Sequence, residues 1–201
     1  MNIKNLIYTN AKKICIPCLI AATPLIANTK PIPFDTFDNE VKVTGSNNPS
    51  ILHSAPNPNI KINGKNEKAK FVINLTKNTL YKYDSNGTPE MAYLVASGKN
   101  STPTHTGVRV VSHVETFPYQ NAPRGSKRRQ NPRDYGPKII ILDKIDTANG
   151  ERSPIGEFIH GNRNSSTLGK HVSHGCIRMD NDVIMKLSNE VKRGDIVIIQ
   201  K

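Results

Sequence analysis

The chain has no tryptophan, and its aromatics are limited to six tyrosines and five phenylalanines in 201 residues. A core must therefore be packed largely from Ile, Val and Leu. Acidic residues are also scarce, 16 against 28 Lys and Arg, which leaves a formal net charge of +12. Such a surface favours anionic partners, whether nucleic acid, acidic lipid or acidic wall polymer, and does not choose among them. No internal repeat occurs, which excludes solenoid and propeller arrays. Long apolar runs are missing too. The best, "ICIPCLIAATPLIA", is short and interrupted by Pro17 and Pro24, unlike a transmembrane helix. Cysteine is limited to Cys15, Cys18 and Cys176.

The N-terminus orders these absences. "MNIKNLIYTNAKK" is basic, an apolar run follows, and small residues end it at Ala27. That is the layout of a secretory signal peptide over residues 1–27, so export to the periplasm or cell envelope is expected, with no stable membrane span after cleavage. Pro17 stands where a lipoprotein signal needs a small residue before Cys18. Lys4, Lys12 and Lys13 lie in this segment and no acid does, so the +12 falls by three to +9 and the remainder is still basic. Cys15 and Cys18 form a C-x-x-C inside the apolar run, without the strand-to-helix context of a redox motif. Once the segment is removed, Cys176 is the only thiol and has no partner for an internal disulfide.

Residues 28–68 are rich in Pro, Asn, Ser and Gly and read as a linker or weakly ordered arm, with "EVKVTG" and "NIKING" as candidate edge strands. A folded domain is expected over 69–201. "KFVINL", "TLYKY", "MAYLVASG", "GVRVVSHV", "PKIIILD", "IGEFIHG" and "DIVIIQ" have strand composition, and Asn86-Gly87 signals a hairpin turn. "ETFPYQNAPRGSKRRQNPRDYG" reads as a long solvated loop, a capping element beside a cleft, from which Tyr119 and Tyr135 would reach substrate. One helix is expected late in the chain, capped at Asp180 or Asn181, with Val183, Ile184, Leu187 and Val191 as its apolar stripe and Gly194 at its end. The fold class is thus mostly β, a sandwich-like arrangement of mixed sheets, sheet on sheet, with one main helix.

His160, His171, His174 and Cys176 cluster late in the chain. His and Cys are zinc ligands, but His-x-Cys is an uncommon close pair and no acid supports it nearby, so no metal is expected. Nucleophilic catalysis suits the set better. A thiol needs a base within hydrogen-bond reach, and the base needs an orienting partner. His160, at a strand end before Gly161, supplies a base. The Gly175 approach to Cys176 leaves backbone N–H groups for an oxyanion, and Arg178 offers a fork for a carboxylate. His174 contributes mainly its backbone, and His171, His105 and His113 are expected to be bystanders.

"IHGNRNSSTLGKHVSHGCIRM" resembles the signature of the L,D-transpeptidases, the YkuD-type catalytic domain: a His-Gly pair, then Ser-His-Gly-Cys, an apolar residue and Arg. Upstream, "FVINLTKNTLYKYDSNGTPEMAYLVASGKNSTPTHTGVRVV" is similar to the family's opening, with its Ser-Gly-Lys and Thr-Pro-x-x-x-Gly elements. The resemblance covers about residues 70–200. It implies an exported cysteine acyltransferase of peptidoglycan. Cys176 would attack the carbonyl between an L-centre and a D-residue of a tetrapeptide stem, and the thioacyl-enzyme would pass the stem to an amine. His160 would be the base, oriented by the Gly161 carbonyl. The N–H groups of His174, Gly175 and Cys176 would form the oxyanion hole. Arg178 would bind a substrate carboxylate or brace the site, and Ser173 and Tyr135 would contact substrate. No cofactor is implied. The acceptor stays open among a stem amine, an envelope lipoprotein, a D-amino acid and water, the last making a carboxypeptidase. A wall-binding module without activity, and a nucleic-acid binder that is not exported, are the non-enzymatic alternatives.

Overall fold

A computed structural model describes residues 45–201. The expected signal peptide, Cys15, Cys18 and the first part of the arm lie outside the described residues. From residue 45 onward the arm is built into the domain, which corrects the linker reading for 45–68. The short strand β1 (Gly45–Ser46) is followed by α1 (Pro49–His53) and the hairpin β2 (Asn59–Ile62) and β3 (Lys65–Lys68). Ile62 is buried, and Leu52, Ala55 and Ile60 pack against the same cluster. Pro56 O accepts a hydrogen bond from the Tyr83 hydroxyl at 2.5 Å. Spaced apolar residues among Pro and Asn are too few to register as a pattern, yet enough to seat the segment on a neighbouring face.

The main sheet comes next: β4 (Phe71–Asn74), β5 (Thr79–Tyr83), β6 (Pro89–Leu94), β7 (Ser97–Gly98), β8 (Gly107–Thr116), β9 (Lys138–Ile145), β10 (Arg152–His160), β11 (His171–Ser173), β12 (Ile177–Arg178) and, after helix α3 (Asn181–Glu190), β13 (Ile196–Gln200). Nine strands form one mixed sheet in the order β1-β6-β5-β4-β13-β8-β9-β10-β12, while β7 and β11 make a separate parallel pair and β2 and β3 a third sheet. The molecule is mostly β, as expected, but a helix rather than a second large sheet covers one face.

Alternation along the central strands explains this layering. Phe71, Ile73, Val197 and Ile199 point into one cluster with Ile184 and Leu187 of α3. Val72, Ile196 and Ile198 point into the other, under the β2–β3 hairpin. With successive side chains on opposite faces, a strand buried on both sides must be apolar throughout. The α3 cap is Asp180, whose Oδ1 accepts from Asp182 N at 2.9 Å and Val183 N at 3.3 Å. The helix ends at Glu190, short of Gly194, which turns separately with φ +95°. Among the described residues no helix is long and apolar enough to cross a membrane.

Candidate active site

Parallel pairing of β10 with β12 assembles the site. Ile159 pairs with Ile177 and His160 with Arg178, and Met179 N donates to His160 O at 2.8 Å. One residue before those pairs stand Phe158 and Cys176. Phe158 and His160 lie two apart on a strand, hence on one face, so this register brings Cys176 alongside His160. Ile177 and Met179, both fully buried, anchor the strand that carries the thiol.

The turn leading into Cys176 is braced from within. Gly175 has φ +115°, a conformation that glycine adopts without a Cβ clash. Ser173 is buried, and its hydroxyl donates to Cys176 O at 2.6 Å while accepting from Gly175 N at 3.1 Å. Ser173 borders the smaller of two cavities at the site, but its hydroxyl is engaged within the turn, so the structure places it as a brace of the Cys176 turn. The Gly175 N–H is likewise engaged in the turn, which reduces the expected oxyanion donors to His174 N and Cys176 N.

A second brace comes from the segment after β6. Ala96 and Arg178 exchange backbone hydrogen bonds at 2.9 and 2.8 Å, Ser97 N donates to Lys170 O at 3.1 Å, and Lys99 N donates to Ser173 O at 3.0 Å. Thr104 Oγ1 accepts from Gly98 N at 2.9 Å and donates to Gly175 O at 2.8 Å. A Cβ on Gly98 would run into the backbone of Thr102 and Thr104. Residues 96–104 therefore form a platform under the Cys176 turn. The sequence displayed them as a Ser-Gly-Lys and Thr-Pro element without a role. Small hydroxyl residues next to a crowded glycine were the available signal.

His160 is buried and its Nδ1 lies 2.6 Å from Gly161 O. A carbonyl only accepts, so Nδ1 carries the hydrogen and Nε2 keeps the lone pair. Gly161 is itself crowded by Gly136, Pro137 and Asn181, which leaves no room for a side chain. Burial pushes the His160 imidazole down to about 4; the Gly161 carbonyl opposes this, the Arg178 charge adds to it, and the Tyr135 carbonyl opposes it. Burial also pushes the Cys176 thiol up to about 11, opposed by the Phe158 backbone amide, reinforced by the Glu157 charge and opposed by Arg178. Both groups are thus neutral across the middle of the pH range. Among the described residues no hydrogen bond joins the two side chains directly; His160 Nδ1 is engaged by Gly161 O.

Two cavities share Cys176 as a lining residue. One, of about 470 Å³, is bordered by Lys127, Tyr135, His160, Arg163, Cys176 and Arg178. The other, of about 1040 Å³, is bordered by Thr102, His105, Arg109, Glu157, Gly175 and Cys176. His174 borders both. Arg178 borders the smaller cavity, and its Nε is buried without a hydrogen-bond partner among the described residues.

The long loop supplies one wall of that cavity. It contains α2 (Lys127–Gln130) and a 3₁₀ turn at Pro132–Tyr135, and it is pinned rather than solvated. Arg128 grips Glu115 through Nε at 2.6 Å and Nη2 at 3.0 Å. The Tyr135 ring lies 4.9 Å from the His160 ring, centroid to centroid. Tyr119 is not a substrate residue: it is buried, and its hydroxyl donates to Gly136 O at 2.5 Å. His171, expected to be a bystander to the chemistry, contacts Ser97 and Asn78.

The model of the L,D-transpeptidase catalytic domain (YkuD) matches residues 68–199. Among curated proteins, the chain is 35% identical over 113 residues to YqjB of Bacillus subtilis, provisionally named an L,D-transpeptidase, covering 55% of this chain and 59% of that protein. It is 36% identical over 66 residues to the likewise provisionally named YkuD of the same organism, covering 26% and 40%. The chain thus spans less than two thirds of the curated relatives it matches. A solved L,D-transpeptidase of Mycobacterium tuberculosis aligns at 19% identity with a TM-score of 0.46, covering 65% of this chain and 57% of that one. One of Enterococcus faecium aligns at 22% with 0.47, covering 66% and 50%.

Proposed function

The chain belongs to the L,D-transpeptidase catalytic domain family, and on that premise we propose that it is an exported cysteine acyltransferase acting on peptidoglycan tetrapeptide stems, with Cys176 as nucleophile and His160 as base. The observation that carries the reading is the placement of Cys176 on the lining of two cavities, beside a buried imidazole whose Nε2 holds the lone pair. Two cavities on one residue give a donor stem and an acceptor separate approaches to it.

The chemistry follows from the neutral pair. Cys176 Sγ attacks the carbonyl of the L–D peptide bond as His160 Nε2 takes the thiol proton. The N–H groups of His174 and Cys176 hold the oxyanion. Collapse breaks the C–N bond, and His160 returns the proton to the departing D-residue amine. An acceptor amine then attacks the thioester, gives its proton to His160, and Cys176 leaves as a thiolate and is reprotonated. Gly161 O stabilises the transient imidazolium through Nδ1. Arg178, with Lys127 and Arg163 on the same cavity, receives stem carboxylates, and Tyr135 flanks the bound chain. The acceptor is a stem amine, an envelope lipoprotein or a D-amino acid; water gives carboxypeptidase trimming. Export through the N-terminal segment places the enzyme where its substrate is.

Purified full chain and its Cys176→Ala variant, incubated with diaminopimelate-containing tetrapeptide muropeptides, are compared by mass spectrometry of the products. Crosslinked, exchanged or trimmed stems are expected from the wild type alone. Their absence from the wild type would sink the enzyme reading, and equal product from both proteins would remove Cys176 from it.

A further inference from the structure

Outside the catalytic pair, one polar cluster is organised around a histidine that the reaction does not use. Ser97 on β7 is 1% exposed and Asn78, in the turn between β4 and β5, is 3% exposed. Ser97 Oγ donates to Asn78 Oδ1 at 2.6 Å. Its single proton is then spent, so His171 Nδ1, 2.8 Å away, must donate into the same oxygen. Asn78 Nδ2 completes the set. It donates to Gly169 O at 3.1 Å and lies 3.3 Å from His171 Nε2, which in that tautomer is an acceptor. Every donor meets an acceptor only if His171 is neutral with its hydrogen on Nδ1.

The cluster sits where the nucleophile's turn is tied down. His171 pairs with Ser97 and Ser173 with Gly98 across the two-strand β7–β11 sheet. Three residues beyond Ser173 is Cys176, whose carbonyl receives the Ser173 hydroxyl. A two-strand parallel pair of this length has few backbone bonds of its own, so side-chain ties weigh heavily in holding it. Asn78 adds a tie to a third point, since Val95 N donates to its carbonyl at 2.9 Å.

We infer that Asn78, Ser97 and His171 form a positioning network that fixes the β11 approach to Cys176, with the Nδ1–H tautomer of His171 as its outer latch. None of the three touches the reacting atoms; they act through the β7–β11 pairing. His171 is solvent-exposed, so it can be replaced without emptying the core. The inference rests on the proposed role of Cys176, but its test need not.

The experiment uses the full-length protein with His171→Leu, which removes the donor, and His171→Asn, whose amide N–H occupies the place of Nδ1–H. Two readouts are taken at one pH, alongside Tm. In acyl transfer, kcat of His171→Leu is expected to fall about tenfold to a hundredfold, as for a nucleophile displaced by a fraction of an ångström to 1 Å, with KM within about twofold. In alkylation of Cys176 by iodoacetamide, His171→Leu is expected to react faster than wild type, because a loosened turn exposes the thiol. His171→Asn is expected to restore both values towards wild type. Wild-type alkylation in His171→Leu, or an Asn variant no closer to wild type than the Leu variant at equal Tm, would overturn the inference. Alkylation needs no stem substrate, so it decides the positioning role even if the wild type transfers no acyl group, a result that would instead overturn the proposed function.

Discussion

His160 and Cys176 are held as neutral groups by burial, and this has consequences for both stability and reactivity. An exposed imidazole titrates at 6.5, while His160 in the fold is pushed down to about 4. Above pH 6.5 both folded and unfolded states are neutral at this residue, and its contribution is complete. As pH falls from 6.5 towards about 4 the unfolded chain binds a proton that the native state refuses, so stability declines. At pH 5 the loss relative to pH 8 amounts to about 2 kcal/mol from this group. Urea denaturation at the two pH values is expected to show that difference shrinking in His160→Asn; an unchanged difference would mean that His160 is not buried neutral. The thiol behaves in the opposite sense. With Cys176 pushed up to about 11, its alkylation is expected to be slow at neutral pH and to climb through the alkaline range. A rate already at plateau at pH 7 would indicate a preformed thiolate–imidazolium pair. The residues proposed to carry the chemistry were legible as candidates in the sequence because Ser-His-Gly-Cys and His-Gly are compact motifs. The bracing roles of Ser173 and Thr104 were not, since a hydroxyl gives no sign of whether it faces ligand or backbone until the fold supplies its partners.

At the level of elements, the short strand β12 carries the site. Ile177 is fully buried in the main cluster, between Cys176 and Arg178 in the chain. Truncation by Ile177→Ala is expected to cost about 2–5 kcal/mol of unfolding free energy, measured by denaturant titration. It should also lower acyl transfer by more than the fraction unfolded explains, because the residue sets the register of Cys176 against Phe158. Strands were readable where both faces are buried: "PKIIILD" and "DIVIIQ" are unbroken apolar runs, and the structure has strands at Lys138–Ile145 and Ile196–Gln200. The strands β11 and β12 were not readable, and β7 was readable only as the tail of "MAYLVASG", not as a separate strand. They are two or three residues long and polar or mixed, and they exist through tertiary pairing rather than local propensity. The same holds for β3, whose residues 65–68 are all exposed, whereas its partner β2 (Asn59–Ile62) falls on "NIKING", a candidate edge strand.

For the whole molecule, the feature that unites sequence and structure is a cysteine lining two cavities on a positively charged body. The +12 net charge and the cation-lined cavity with Lys127, Arg163 and Arg178 both suit a substrate bearing carboxylates. The central claim is that Cys176 carries the stem as a thioester. It is tested most directly by incubating the full-length protein with a diaminopimelate tetrapeptide stem, quenching in acid and measuring the intact mass, then mapping the adduct by peptide fragmentation. The account predicts a mass increase equal to the stem less its terminal D-residue and one water, located on Cys176 and lost in Cys176→Ala. An adduct on another residue, or turnover of the stem by Cys176→Ala at the wild-type rate, would contradict it.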